Sequence, residues 1–358
     1  MQVSVIIVGQ GLCGTWLGYY LKQAGVSFVV IDKAQNQSAS KVASGIINPV
    51  TGRRLVKTWM IDEVMPFAVN AYKNFHVPIH PLNIQSTDQL IAKHNVLDFF
   101  SAPDVEVAFK KRLEEGAPYL SAIDNKEPWR QYFNFDFGVG EIAPCYLADV
   151  NALLDTWRNY LLQENLLIED QFIESDLQIT NDSIRYQNIE ANQIIYCDGI
   201  ASAQSKWFNR LPFAANKGEA LIAEIPGLPA THIFKKGMSL VPWKPGQYWL
   251  GSTYQWKFDD NLPTEIFRQQ ATVWLQSFCR MPFTIIDHLA SVRPATIERR
   301  PFIGFHPLHK RVGIFNGMGT KGVSLAPYFA QQLADHLSLQ TPLLPEVDIK
   351  RFSKILSR

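Results

Sequence analysis

The sequence predicts an α/β fold in which a Rossmann-like domain is interleaved with a mainly antiparallel β domain. Three observations predict it. The chain opens on a strand, a glycine turn and a helix, "VIIVGQGLCGTWLGYYLKQAG" from Val5 to Gly25. A second glycine cluster follows another apolar strand near the far end, in "VGIFNGMGTKGVSLAP". From about Lys217 the intervening chain turns to short, turn-punctuated segments of antiparallel type.

The first strand, "QVSVIIV" (Gln2 to Val8), is apolar and β-branched, as expected of a strand buried on both faces. Gly9, Gly11 and Gly14 follow it in G-x-G-x-x-G spacing. Gly9 permits the tight turn, Gly11 lets the backbone approach a pyrophosphate, and Gly14 lets the helix lie close to the strand. Gly18 extends that smooth helix face. The helix is predicted to end near Ala24, with Gly25 as a left-handed cap. "SFVVID" (Ser27 to Asp32) is a second buried strand ending in an acid. Asp32 stands where a carboxylate meets the ribose hydroxyls of an adenosine and disfavours a 2′-phosphate. A lone glycine triplet would serve a plain turn equally well; strand, triplet, helix, strand and acid in that order point to a dinucleotide.

A polar loop follows, then a predicted helix from about Lys57 to Phe75. The region from His76 to about Cys145 is mixed. "DVNALLDTWRNYLLQENL" (Asp149 to Leu166) is an amphipathic helix with Asp149 as its cap. "QIIYCDG" (Gln193 to Gly199) is a strand. "SLVPWKPGQYWLGSTYQW" reads as a hairpin, with Pro245-Gly246 suited to a type II turn. A helix near Thr264 to Phe278 comes next. "VGIFN" is the last buried strand, followed by Gly317, Gly319 and Gly322 and by a helix carrying Leu325, Phe329, Leu333 and Leu337 in a stripe. Pro327 is tolerated only near that helix's first turn, so the helix should start close to Gly322. Its N-terminus would present unpaired N–H groups and a partial positive charge. The predicted division gives 1–75, 146–210 and 290–358 to the nucleotide domain and 76–145 and 211–289 to the second.

Composition narrows the function classes. A formal net charge of +1 on 358 residues provides no global field for nucleic acid or an anionic membrane. No apolar run approaches the ~20 residues needed to cross a bilayer. The first strand begins almost at Met1, which leaves no secretory leader in the chain as given, and the expected location is cytoplasmic. Cys13, Cys145, Cys197 and Cys279 form no CxxC pair and read as free thiols in a reducing compartment. His76 and His80 have helical ligand spacing, but Pro78 and Pro81 work against a shared face. His306 and His309 flank Pro307 without a nearby partner in sequence. No metal is expected.

At this point the chain resembles the D-amino-acid oxidase-like (DAO-type) FAD-dependent oxidoreductases. The resemblance rests on the opening motif with Asp32, "SASKVASGIINP", "IIYCDG", "SVRPATIERRPFIG" and "NGMGTKGVSLAP". It implies a glutathione-reductase-type FAD-binding Rossmann-like domain with an interleaved substrate domain, and oxidation of a C–N bond in an amine. It implies FAD contacts at Gly9, Gly11, Leu12, Gly14, Asp32 and Lys33, with Ser40, Ser44 and Gly45 around the diphosphate and ribityl chain. It adds Gly199, and it places Gly317, Gly319, Thr320, Lys321 and Gly322 at the pyrimidine edge of the flavin. Donors there would stabilise the negative charge of the reduced ring. Lys321 reads either as a full charge added to that edge or as a solvated surface lysine. Arg53 and Arg54 approach phosphate or substrate, or are simply exposed.

Arg293 in "SVRPA" is the candidate for gripping a substrate carboxylate, because family members that oxidise amino acids carry an arginine in this "RP" position. Guanidinium offers two parallel donors to a carboxylate's two acceptors. Read alone, it could sit on a strand edge. Tyrosines present on the matching strand of several amino-acid oxidases are missing from "FKKGMSLVP". Tyr254, with Trp243, Trp249 and Trp256, is the alternative pocket aromatic. No cysteine lies near the closing cluster, so the FAD should be non-covalent.

The expected chemistry is hydride transfer from a carbon beside nitrogen to flavin N5 on a small amine or amino acid, with O2 or a redox carrier reoxidising the flavin. The alternatives are oxidation of an aminomethyl group on a macromolecule, which a basic rim would favour, and a non-catalytic FAD-binding subunit of a larger complex. A closed flavin face, or Arg293 turned away from it, would favour the subunit.

Overall fold

The computed structural model describes residues 1–35, 37–52, 54–78, 90–180 and 182–358; Arg53, His80 and Pro81 lie outside them. The chain builds two eight-stranded sheets. In the first, Gln2–Val8 pairs in parallel with Phe28–Ile31 on one side and Ile189–Tyr196 on the other. Two parallel neighbours and helices across the faces explain why these strands are apolar throughout. Ile189–Tyr196 also pairs in parallel with Val312–Asn316 at its C-terminal end. The two glycine turns therefore emerge at the same edge of this sheet.

Helix Leu12–Gln23 follows the first turn, and Gly25 takes φ +69 just beyond Ala24, as the glycine cap required. Helix Val150–Gln163 packs beside it, capped by Asp149, whose carboxylate accepts the Ala152 N–H at 2.9 Å. Gly18 makes that packing possible: a Cβ there would sit 3.0 Å from the Trp157 ring and 3.3 Å from Phe28. Helix Gly322–Leu339 lies against the first helix and starts where Pro327 demanded, although Pro327 is its sixth residue and so falls in the second turn.

The predicted helix over 57–75 is shorter, Ile61–Lys73. Val56–Lys57 instead pairs with Val50–Thr51 in a small hairpin, and Met60 enters the left-handed region at φ 53 before the helix begins. Trp59 therefore stands outside the helix and stacks on Phe329 at 5.9 Å between ring centroids. Helix Pro103–Glu114, within the mixed region, escaped the reading because Phe109 alone on it is buried. Its proline in the first turn was the one available signal.

The second sheet runs in the order 284–293, 216–224, 247–251, 238–244, 233–236, 96–99, 139–142, 120–122. All its pairings are antiparallel except that between Ile233–Lys236 and Val96–Phe99. The predicted hairpin joins Met238–Lys244 to Gln247–Gly251, with Gly246 at φ +73 as the type II turn needs. Helix Glu265–Phe278 is capped by Thr264 and covers one face with Phe267, Ala271, Leu275 and Phe278. The other face packs on Phe109 of helix Pro103–Glu114 and on Val50 and Leu55, and the remainder of it borders the cavity described below.

No helix among the described residues is long and apolar enough to cross a membrane, and all four cysteines are free. Trp157 is fully buried between Phe28, Tyr160 and Gly18. Trp157→Ala should lower unfolding stability by about 3–5 kcal/mol, the cost of an aromatic cavity; a urea titration measures it.

Candidate active site

The first glycine turn is forced by contact. Gly9 has φ +96, and a Cβ on it would meet the Cys197 carbonyl oxygen at 2.8 Å. A Cβ at Gly14 would come within 1.9 Å of the Gly9 carbonyl oxygen, so the helix can begin this close to the strand only with glycine there. The backbone N–H of Gln10 donates to Asp32 Oδ2 at 2.9 Å, which ties the turn to the acid ending the second strand. Asp32 Oδ1 accepts from Ala34 and pairs with Arg158 at 2.9 Å. Arg158 also holds the Gln10 side chain and Glu169. Sequence reasoning missed Arg158 because it sits mid-helix among residues chosen for packing.

At the start of the helix, the Leu12 N–H donates to Ser40 Oγ at 3.0 Å, and a Cβ on Gly11 would lie 2.9 Å from the same oxygen. Ser40 thus rests over the helix N-terminus with its own hydroxyl proton still to give. The serine loop is held in place from the second sheet, since Trp249 Nε1 donates to the Val42 carbonyl at 3.0 Å.

A cavity of about 900 Å³ runs from this turn to the far glycine cluster. Gly9, Gly11, Leu12, Asp32, Lys33, Ser40, Ser44 and Gly199 line it at one end, and Gly319, Thr320, Lys321, Gly322, Arg293 and Tyr254 at the other. Gly14, Gly45 and Gly317 are not in its wall. Gly45 packs on the Ala148 carbonyl, 2.1 Å from where its Cβ would be, and Gly317 packs on Thr296 and Phe302. At these three positions the glycines serve close backbone packing. Trp249 lines the cavity; Trp243 lies outside its wall, and Trp256 is exposed to solvent.

The closing turn departs from expectation in one detail. The Gly319 N–H is spent on the Pro294 carbonyl at 3.2 Å. The N–H groups of Thr320, Gly322 and Val323 find no acceptor among the described residues, as befits the first turn of a helix. The free donors therefore begin one residue later than the sequence suggested. Lys321 is half-buried at this N-terminus; burial first, then Arg300 and Arg299, push its ammonium below the ordinary lysine range.

Arg293 ends strand Thr284–Arg293 and is largely withdrawn from solvent, which lowers its pKa. Its Nη1 donates to Asn216 Oδ1 at 2.7 Å and to the Thr253 carbonyl at 3.1 Å, and Nη2 donates to Ser252 Oγ at 2.8 Å. The Tyr254 ring covers it at 4.9 Å. No acidic side chain pairs with it among the described residues. The guanidinium lies across Gly218, where a Cβ would fall 1.9 Å from Nη2. Asn216, Gly218 and Ser252 carried no motif and were invisible in sequence. Tyr254 is 61 % exposed and acts as a cover on Arg293, not as a buried pocket wall.

A protein-family model described as FAD dependent oxidoreductase (DAO) matches residues 4–336. The chain belongs to this family. FAD is its cofactor, and it is an FAD-dependent oxidase or dehydrogenase. Glycine oxidase of Pseudomonas putida is 22% identical over 96% of this chain and 97% of that protein. The solved structure of iminodiacetate oxidase from Chelativorans superposes with a TM-score of 0.75 at 19% identity, covering 98% of both chains. Glycine oxidase from Bacillus cereus gives 0.78 at 15% identity, covering 99% of both.

The cavity fits an extended FAD. It joins one helix N-terminus, where glycines would admit a diphosphate, to a second N-terminus with spare donors, and Asp32 lines it beside the first, where an adenosine ribose would lie. Asp198 lines the cavity near the first turn and accepts from Ser202. Although part of its surface opens on the cavity, the packing around it pushes its carboxyl up to about 7. An unfolded aspartate loses its proton near ~4. The unfolded state therefore sheds its proton first as pH rises, so Asp198 makes stability fall from about pH 4 to about pH 7 and level off above. Comparing unfolding of the wild type and Asp198→Asn across that window should show the slope reduced in the variant.

Proposed function

We propose that this chain oxidises the C–N bond of a small amino acid or secondary amine held through its carboxylate by Arg293. The observation that carries the reading is the state of that guanidinium. It lies in the cavity wall with only neutral oxygens and a ring face around it, so its charge awaits an anion. A half-buried, uncompensated cation binds a carboxylate far more strongly than an exposed one does.

When bound, FAD would supply the acceptor for a hydride from the carbon beside nitrogen. The protein's part is position and dryness. Arg293 fixes the carboxylate end, and Asn216 and Ser252 fix Arg293. Glu219 reaches the cavity wall only with its backbone side. Its carboxylate is turned to the opposite face, accepting from Thr264 and lying 3.0 Å from His288 Nε2, so it is not placed to remove a proton from the amine. The amine therefore enters the reaction neutral. Lys321 and the free N–H groups beside it lie where negative charge on a reduced ring edge would be stabilised.

A second reading draws on one further observation. Arg300 stacks on Trp59 at 4.1 Å and, with Arg299, stands beside Lys321, with no acidic partner for that pair among the described residues. Arg54 is exposed on the neighbouring hairpin. Such a rim suits a polyanion carrying the amine. Turnover that falls steeply with added salt would favour it. The non-catalytic subunit loses its grounds, because Arg293 lines the cavity.

Anaerobic bleaching of the flavin across a panel of amines tests the main reading: carboxylate-bearing amines should bleach it, and bleaching only by amines without a carboxylate would sink it. Arg293→Ala should raise KM for such a substrate by about 10- to 100-fold, the loss of a charge-assisted pair, while FAD occupancy holds. Gly218→Ala should produce the same KM defect with Arg293 still present, because its methyl displaces Nη2; steady-state kinetics decides. Lys321→Met should lower the flavin midpoint potential by about 30 mV, a tenfold change for a two-electron couple; a dye-equilibrium titration reads it.

A further inference from the structure

The cavity-facing side of the second sheet carries a second fixed donor that the proposed function leaves unused. Residues directly opposite across a ladder share a face. Gly251 lies opposite Ser239, Ser239 opposite Lys235, and Lys235 opposite Asp98, so the four form one transverse row over neighbouring strands. Ser252, beside Gly251, holds Arg293 at one end of that row. Lys235 stands at the other. Arg293 itself ends the sheet's edge strand with its guanidinium over Gly218, three inter-strand steps of ~4.8 Å from Lys235, so the two cations are separated by roughly 15 Å.

Gly251, Ser239, Gly237 and Lys235 all line the cavity; the row itself carries no bulky side chain, and the Trp249 ring borders it, 2.9 Å from where a Cβ on Gly251 would be. Lys235 is no loose surface lysine. Its Nζ donates to Asp98 Oδ2 at 2.6 Å, and Asp98 is buried and lies outside the cavity wall. The carboxylate therefore anchors the ammonium from the end of the row away from Arg293. Toward the cavity Lys235 offers only donors, its remaining N–H bonds, beside the Ser239 hydroxyl, which can donate or accept. A ligand group meeting Lys235 must be an acceptor.

We infer that the pocket is built for a two-headed substrate, an amino acid or secondary amine whose first carboxylate meets Arg293 and whose second acceptor head, a carboxylate, meets Lys235 and Ser239. This rests on the proposed function and narrows its substrate class. A glycine-sized molecule fills less than half the span. The small side chain of Ser239 keeps the middle of the row open, where an aromatic ring would fill it.

The test uses FAD-loaded protein and non-oxidisable probes: acetate, and straight-chain α,ω-dicarboxylates of increasing length. Binding is read from perturbation of the flavin absorption. Acetate should bind through Arg293. One or more dicarboxylates long enough to reach Lys235 should bind about 10- to 100-fold tighter, the contribution of one charge-assisted hydrogen bond. Lys235→Met should erase that advantage and leave the acetate Kd unchanged. Because this variant strands Asp98 without its partner, Lys235→Met with Asp98→Asn is measured beside it and should behave alike. The inference is overturned if no dicarboxylate binds tighter than acetate, or if the advantage survives in both variants. If Arg293→Met leaves acetate binding unchanged, the carboxylate reading of Arg293 fails, and this inference fails with it.

Discussion

The architecture depends on one close approach, that of Gly14 to the carbonyl oxygen of Gly9. With 1.9 Å between that oxygen and the position of a Cβ, no other residue lets the first helix start where it does. The helix N-terminus consequently faces the cavity, Gln10 reaches Asp32, and Gly18 can receive Trp157 from the neighbouring helix. The same sheet edge delivers the second glycine turn through Val312–Asn316. Two helix N-termini then face one cavity, and the distance between them is fixed by strands buried on both faces.

Charge in this cavity is distributed by purpose. Glu219 is buried but satisfied by Thr264 and His288, and it faces away. Lys235 is anchored by Asp98. Arg293 has neutral neighbours alone, so burial leaves it with an unmet demand for an anion. Removing a partner from a buried charge costs several kcal/mol; a protein that keeps such a site without a partner of its own must draw the partner from a ligand. Of these three ions, Arg293 is the one with no ion of opposite charge beside it among the described residues, which burial alone would not reveal.

Much of the nucleotide half was legible because its residues are chosen by backbone geometry. Positive φ at Gly9 and Gly25, the cap at Asp149 and the start of the last helix near Gly322 each leave a local mark in sequence. The catalytic half was less legible. Arg293 was visible only through the family resemblance of its Arg-Pro setting, while the order of the second sheet, which no local pattern marks, brings Asn216, Gly218 and Ser252 to Arg293 and Asp98 to Lys235. The helix beginning at Lys57 failed for a related reason: a two-residue hairpin pairing captured Lys57 and overrode an apolar spacing that included Trp59.

The account is tested most directly by a crystal structure of the FAD-loaded protein soaked with a carboxylate it cannot oxidise. The flavin ring should lie between the turn at Thr320–Gly322 and the face bearing Ser239 and Gly251, with the carboxylate on Arg293. Density showing the ring elsewhere, or Arg293 paired with a side chain of the protein while the carboxylate binds apart from it, would contradict the account.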